Sequence, residues 1–143
     1  MDKKVVSTEE LLTILEDYSS LKAFFDDYEK CLPNLTTAEY LEQLLNEHHI
    51  SKQEAIRRAD IDRVYGYQLL NGKRNARRNT LLRLALAIPF SVDETQRLLK
   101  IAQRGELYVK NRRDAAIIYC LMHEVGLIET ELLLDNIGEA LLR

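Results

Sequence analysis

Nine cationic side chains, Lys52, Arg57, Arg58, Arg63, Lys73, Arg74, Arg77, Arg78 and Arg83, fall within residues 51–83 of a chain whose formal net charge is -3. Residues 1–50 carry 4 Lys/Arg against 11 Asp/Glu, residues 51–83 carry 9 against 3, and residues 84–143 carry 7 against 9. One concentrated basic block in an otherwise acidic chain points to a single surface for an anionic partner. Charge alone is equally consistent with a solvated, salt-bridged face.

The other reactive residue types form no constellation. His48 and His49 are adjacent, so on a helix they point about 100° apart and do not face one ion. With no cysteine beside them or His123, helix-end polar histidines are expected and no metal site is. Asp26-Asp27 and Glu9-Glu10 read as solvated acids. No nucleophile motif or Walker loop occurs, and 5 scattered glycines build no phosphate cradle. The expectation is therefore a protein that is not an enzyme and needs no cofactor. Cys31 and Cys120 share no C-x-x-C spacing and read as reduced thiols.

Only 2 prolines and 5 glycines interrupt a Leu-, Glu- and Arg-rich chain, which favours helices. Ser7-x-x-Glu10, Thr36-x-x-Glu39 and Ser91-x-x-Glu94 are capping boxes that open helices. The first carries Leu11, Leu12 and Leu15 on one side. Ser19 or Ser20 opens a second, with Phe24, Phe25 and Tyr28 as an aromatic stripe and Pro33 as its stop. The Thr36 helix places Tyr40, Leu41, Leu44 and Leu45 at helical spacing. Ser51 caps a helix of about Lys52–Ala59, and Asp62 caps another of about Arg63–Leu70 that Asn71-Gly72 ends. Asn79 or Thr80 opens a helix closed by Pro89, Asn111 opens one ended by Gly126, and a last helix holds Leu132 to Leu134 and Ile137. A series of short helices follows, without repeats.

The stretch Ser51 to Arg74 is thus helix, short turn, helix, glycine stop and basic residues. A helix fits the DNA major groove, and a preceding helix across the backbone can hold it there, its first N–H groups facing a phosphate. On the pattern Tyr40/Leu41/Leu44/Leu45, Ile50-Ser51-Lys52, Ile61, Leu69 with Asn71-Gly72-Lys73-Arg74, and Leu81-Leu82-x-Leu84-Ala85, residues 36–102 resemble the XRE (Cro/repressor-like) helix-turn-helix family. The whole chain is similar to small bacterial XRE proteins of unassigned role, which share Tyr65-Gly66-Tyr67-Gln68, Glu94–Leu99 and Arg112–Ala115. The resemblance implies an all-α, lambda-repressor-like five-helix domain with flanking helices at both ends. It also implies a sequence-specific, double-stranded-DNA-binding transcriptional regulator, repressor-like by family habit. Arg63, Val64, Tyr67 and Gln68 would then face base edges, Gln68 pairing with adenine and Arg63 with guanine. Lys52 and Gln53 would sit at the phosphate end of the positioning helix, and Asn71, Lys73, Arg74 and Arg78 would follow the recognition helix along the backbone.

Three positions depart from the family pattern. Ile56 stands where alanine is usual at the helix crossing, Asp60 replaces the turn glycine, and Gly66 takes an apolar position whose space a flanking tyrosine is expected to fill.

The expected organisation is an acidic helical arm over 1–33, the helix-turn-helix domain over 34–102, and C-terminal helices over 103–143 that pack on the core or form a dimer contact. The arm reads as part of the core, as a surface for a protein partner, or as a brake folded over the basic face. Family proteins often bind two-fold sites as homodimers. The other open reading is a helix-turn-helix fold used as a protein-interaction module, an antitoxin or adaptor. The two separate on whether Arg63, Gln68, Lys73, Arg74 and Arg78 share one exposed face. No apolar run suits a membrane span or a signal peptide, so the location expected is cytoplasmic.

Overall fold

The computed structural model describes residues 7–28 and 35–143. The regular elements among the described residues are all helices: α1 (Thr8–Asp17), α2 (Leu21–Tyr28), α3 (Thr37–Glu47), α4 (Lys52–Arg58), α5 (Arg63–Leu70), α6 (Arg78–Ala87), α7 (Val92–Ile101), α8 (Arg112–Met122) and α9 (Leu127–Asn136). None of these is long and apolar enough to cross a membrane. The chain divides into two compact units, Met1–Asn34 and Leu35–Arg143.

In the first unit, the Ser7 hydroxyl caps α1 by accepting from the Glu10 N–H at 3.1 Å, and the Ser20 hydroxyl does the same for Ala23. Phe24 is buried and meets the Tyr18 ring edge-on at 5.7 Å. The α1 leucines do not form an inward side: the helix buries no residue, and Leu12 and Leu15, like Leu21 of α2, are exposed. The side chains of Phe25, Asp26, Asp27 and Tyr28, together with Cys31 and Pro33, lie outside the described residues.

The second unit is built around α6. Leu81, Leu82, Leu84, Ala85 and Leu86 bury most of its circumference, as a helix with neighbours on several sides must. Those neighbours are α4, α7, α8 and α9, while α3 packs on α5 and α7. Leu41, Leu44, Ala55, Leu69, Leu98, Leu99, Ile117 and Leu134 join the same core. The C-terminal helices therefore complete this core, and the segment after α9 adds Leu142, which is fully buried. Cys120 is a buried free thiol.

Helix starts follow the caps. Thr36 and Ser91 form both halves of their capping boxes, and Ser51, Asp62 and Asn111 each accept from the N–H three residues on. Two boundaries differ from expectation. Arg77, not Asn79, is the cap residue of α6 and makes no side-chain cap bond. Gly126 does not end α8, which stops at Met122, but precedes α9 and accepts from the Thr130 hydroxyl at 2.8 Å.

Helix ends follow a different device. After α3, α4, α7 and α8 the chain turns through a left-handed residue that is not glycine: His49, Asp60, Gln103 and Glu124. At α4, Ile61 N–H donates to the Ile56 carbonyl and Asp60 N–H to the Arg57 carbonyl. That crossed pair is a Schellman closure, and its geometry needs the positive φ. Asp60, at φ 52°, thus takes the left-handed turn position, where a short polar side chain is tolerated better than most. Gly72 (φ 79°) ends α5 in the same way.

Candidate nucleic-acid interface

α5 buries Gly66, Leu69 and Leu70. Arg63, Val64, Tyr67 and Gln68, at helical steps of one and four, share the other face. Arg63 is exposed and Val64 is 65% exposed, while Tyr67 and Gln68 are half-buried at the base of the stripe. Neither Arg63 nor Gln68 has a side-chain partner among the described residues.

The helix is held close to α4 at one point. A Cβ on Gly66 would lie 2.7 Å from Ile56 Cγ1 and 2.9 Å from its Cδ1. The space over the glycine is therefore filled by Ile56 from the neighbouring helix and not by a flanking tyrosine. Tyr65 and Tyr67 instead pack, partly buried, on the edge of the core.

Asp62 would oppose a phosphate if its carboxylate pointed outward. Its Oδ2 instead accepts from the Tyr65 N–H at 3.1 Å, held against the positive end of the helix.

The basic block sorts into two groups. In the committed group, Arg57 and Arg58 both donate to the Glu54 carboxylate one turn back. These bonds hold the Glu54 carboxyl down at about 2. Arg83 donates to the Ala59 carbonyl (2.9 Å), the Leu142 carbonyl (3.1 Å) and Glu131 (2.7 Å). Arg78, expected on the DNA backbone, is also committed. Its Nη1 and Nη2 donate to the buried Asp114 carboxylate at 3.1 and 2.9 Å, its Nε to the Gly105 carbonyl at 2.8 Å, and its Nη2 to that of Glu106 at 3.2 Å. Its fork binds α6 to the α7–α8 connection, and four of its five N–H donors are engaged there.

The second group keeps its charge. Lys52 donates to the Asn71 side-chain oxygen at 3.0 Å, joining the start of α4 to the end of α5, but that partner is neutral. Gln53 and Lys73 are exposed. The Arg74 guanidinium lies 5.9 Å from the Tyr65 ring centroid, a cation–π distance that leaves its donors unused. Arg77, not singled out by the motif, is exposed and has no side-chain partner among the described residues. Its signal was its place in the run 73–78, which the motif pattern alone did not separate from Arg78.

No three metal-ligating side chains cluster among the described residues. His48 is instead 3.0 Å from Glu94, and their contact joins α3 to α7. Burial pushes the Glu94 carboxyl up, but the Ser91 N–H, His48 and the Ser91 hydroxyl together hold it below the ordinary carboxylate value.

Comparison with family models, with curated proteins and with solved structures finds no match to this chain.

Proposed function

We propose that this protein is a sequence-specific binder of double-stranded DNA, acting as a transcriptional regulator, with α3–α7 as a lambda-repressor-like helix-turn-helix domain. α5 is the recognition helix and α4 the positioning helix. The observation that carries the reading is the outer face of α5. Arg63, Val64 and Gln68 stand on it without partners, flanked by uncancelled charge at Lys52, Lys73, Arg74 and Arg77, while the nearby acid Asp62 is turned into a cap. Arg63 suits the paired acceptors of guanine, Gln68 the donor–acceptor edge of adenine, and Val64 a thymine methyl. The surrounding cations supply the sequence-independent attraction.

The deciding experiment is selection from a random double-stranded library at about 100 mM salt, where backbone contacts do not swamp base readout. Wild type should enrich one motif and the Arg63→Ala/Gln68→Ala variant should not. A failure of wild type to enrich any motif, unrescued by deleting residues 1–33, would overturn the reading.

The exposed Leu12, Leu15 and Leu21 of α1 and α2 favour a second reading, in which the acidic arm binds a protein and the chain is an adaptor or antitoxin. It predicts capture of one protein by wild type that a Leu12→Glu/Leu15→Glu variant loses, with no DNA motif enriched.

A further inference from the structure

The irregular segment 139–143, after α9, is tied down along its main chain. Arg113 donates to the Ala140 and Leu141 carbonyls at 2.8 and 3.0 Å, and Arg83 donates to that of Leu142 at 3.1 Å. The Asn79 side-chain amide donates to the main-chain oxygen of Arg143 at 3.2 Å. Leu142 itself is fully buried in the core. These bonds fix the root of the Arg143 side chain beside the start of α6.

There Arg143 lines a recess of about 640 Å³ with Tyr65, Arg74, Arg77, Asn79 and Thr80. That volume is within the usual range of small-molecule sites. No Asp or Glu side chain lines it. Arg78 borders it too, with its charge matched by Asp114. Three guanidinium groups are left. Arg77 is exposed and without a side-chain partner among the described residues, and Arg74 rests on the Tyr65 ring with its donors unused. Arg143 is exposed, and its one acidic neighbour is Glu131 at 3.9 Å, whose other oxygen already holds Arg83 at 2.7 Å. An exposed pair at that distance contributes little.

Each phosphodiester of a DNA strand carries one negative charge. A phosphate monoester carries about -1.5 to -2 at neutral pH, on three acceptor oxygens. Arginine forks match those oxygens. Three guanidinium groups around one concave recess exceed what a diester needs and suit a monoester.

We infer that this recess binds the phosphate group of a small phosphorylated molecule, a monoester, through Arg74, Arg77 and Arg143. Binding there does not depend on DNA. Its consequence rests on the proposed function: Arg74 and Arg77 cannot serve the ligand and DNA together, so an occupied recess weakens DNA binding.

Nitrogen–proton NMR of the full chain tests the site, with methyl phosphate titrated at constant ionic strength near about 100 mM, where distant charges are screened. Dimethyl phosphate, a diester like the DNA backbone, is the comparison. The side-chain N–H signals of Arg74, Arg77 and Arg143 should shift to saturation with a Kd of about 1 mM. Dimethyl phosphate should bind at least about fivefold more weakly. Arg77→Ala and Arg143→Ala should each weaken methyl phosphate binding at least about fivefold, with an unchanged helical spectrum, since both side chains are exposed. Arg63→Ala should not weaken it. A shift that never saturates, a diester that binds equally well, or indifference to Arg143→Ala overturns the inference. On the selected operator, methyl phosphate should compete with DNA for wild type, and at least about fivefold more should be needed for Arg143→Ala. An Arg143→Ala variant whose DNA affinity falls as far as its methyl phosphate affinity would make the recess part of the DNA footprint and overturn a free ligand. A wild type that selects no operator removes the proposed function, and the titration still decides the site.

Discussion

A methyl group at position 66 has nowhere to go. It would meet Ile56 Cγ1, Cδ1 and Cγ2 at 3.0 Å or less. Isoleucine is branched at Cβ and stiff about χ1, so it cannot swing clear, and it is buried in the core. Gly66→Ala should therefore destabilise the protein by about 1–2 kcal/mol, overpacking outweighing a gain of about 1 kcal/mol in helix propensity. Ile56→Ala should cost about 2–4 kcal/mol through the cavity it leaves. The double variant should be more stable than Ile56→Ala alone, because the new methyl enters the vacated space. Urea unfolding of the four proteins measures the coupling. Simple additivity would mean that the crossing does not set the glycine. Both residues stand out in the sequence as departures from a helix-turn-helix pattern. That each compensates the other is a contact between two helices, and neither helix's own periodicity contains it.

At the scale of elements, the helix starts that carry a side-chain cap were legible, those of α6 and α9, which carry none, were not, and most helix ends were not. A cap such as Ser51, Asp62 or Asn111 acts on an N–H three residues away, so its whole mechanism lies within four consecutive letters. The ends after α3, α4, α7 and α8 are closed by His49, Asp60, Gln103 and Glu124 in left-handed geometry. Asp60 stood at an expected turn, but His49, Gln103 and Glu124 are residue types that announce no stop. What fixes them is the demand of the following residue, Ile50, Ile61 or Val125, to pack on the core. The same limit hid the tie between the α7 cap and α3. Glu94 closes the Ser91 box, which was legible, and meets His48, which is 46 positions away and was not. This tie gives a pH signature. The Glu94 carboxyl is depressed in the folded protein. Its contribution is therefore fully present above its unfolded value, near 4.5, and is lost as pH falls through the lower folded value. Between pH 7 and pH 3.5 the urea midpoint should fall less in Glu94→Gln than in wild type. An equal fall in both would assign the acid sensitivity to other carboxylates, with Glu54, whose carboxyl is held at about 2, the first to examine.

At the scale of the whole molecule, the nine cations of residues 51–83 divide between holding the fold and facing solvent, and under the proposed function this division would limit how strongly an acidic protein holds DNA. Arg57, Arg58, Arg78 and Arg83 are ion-paired within their own unit. If Arg63 reads base edges as proposed, Lys52, Lys73, Arg74 and Arg77 remain for phosphates. Four phosphate contacts per chain would give a slope of log K against log salt of about -3 to -4, whereas all nine cations would give about -8. Fluorescence anisotropy with the selected operator, over about 50 to 300 mM salt, separates these values. Two variants then test the division directly. Lys73→Ala should make the slope shallower by about 1 per chain without affecting folding. Arg78→Ala should leave the slope unchanged and lower stability by about 2–3 kcal/mol, because it removes the cation from the buried Asp114 carboxylate and leaves it the Tyr108 N–H. An Arg78→Ala variant that kept its stability but lost slope would place that arginine on the DNA backbone, and would require its bond to Asp114 to open when DNA binds.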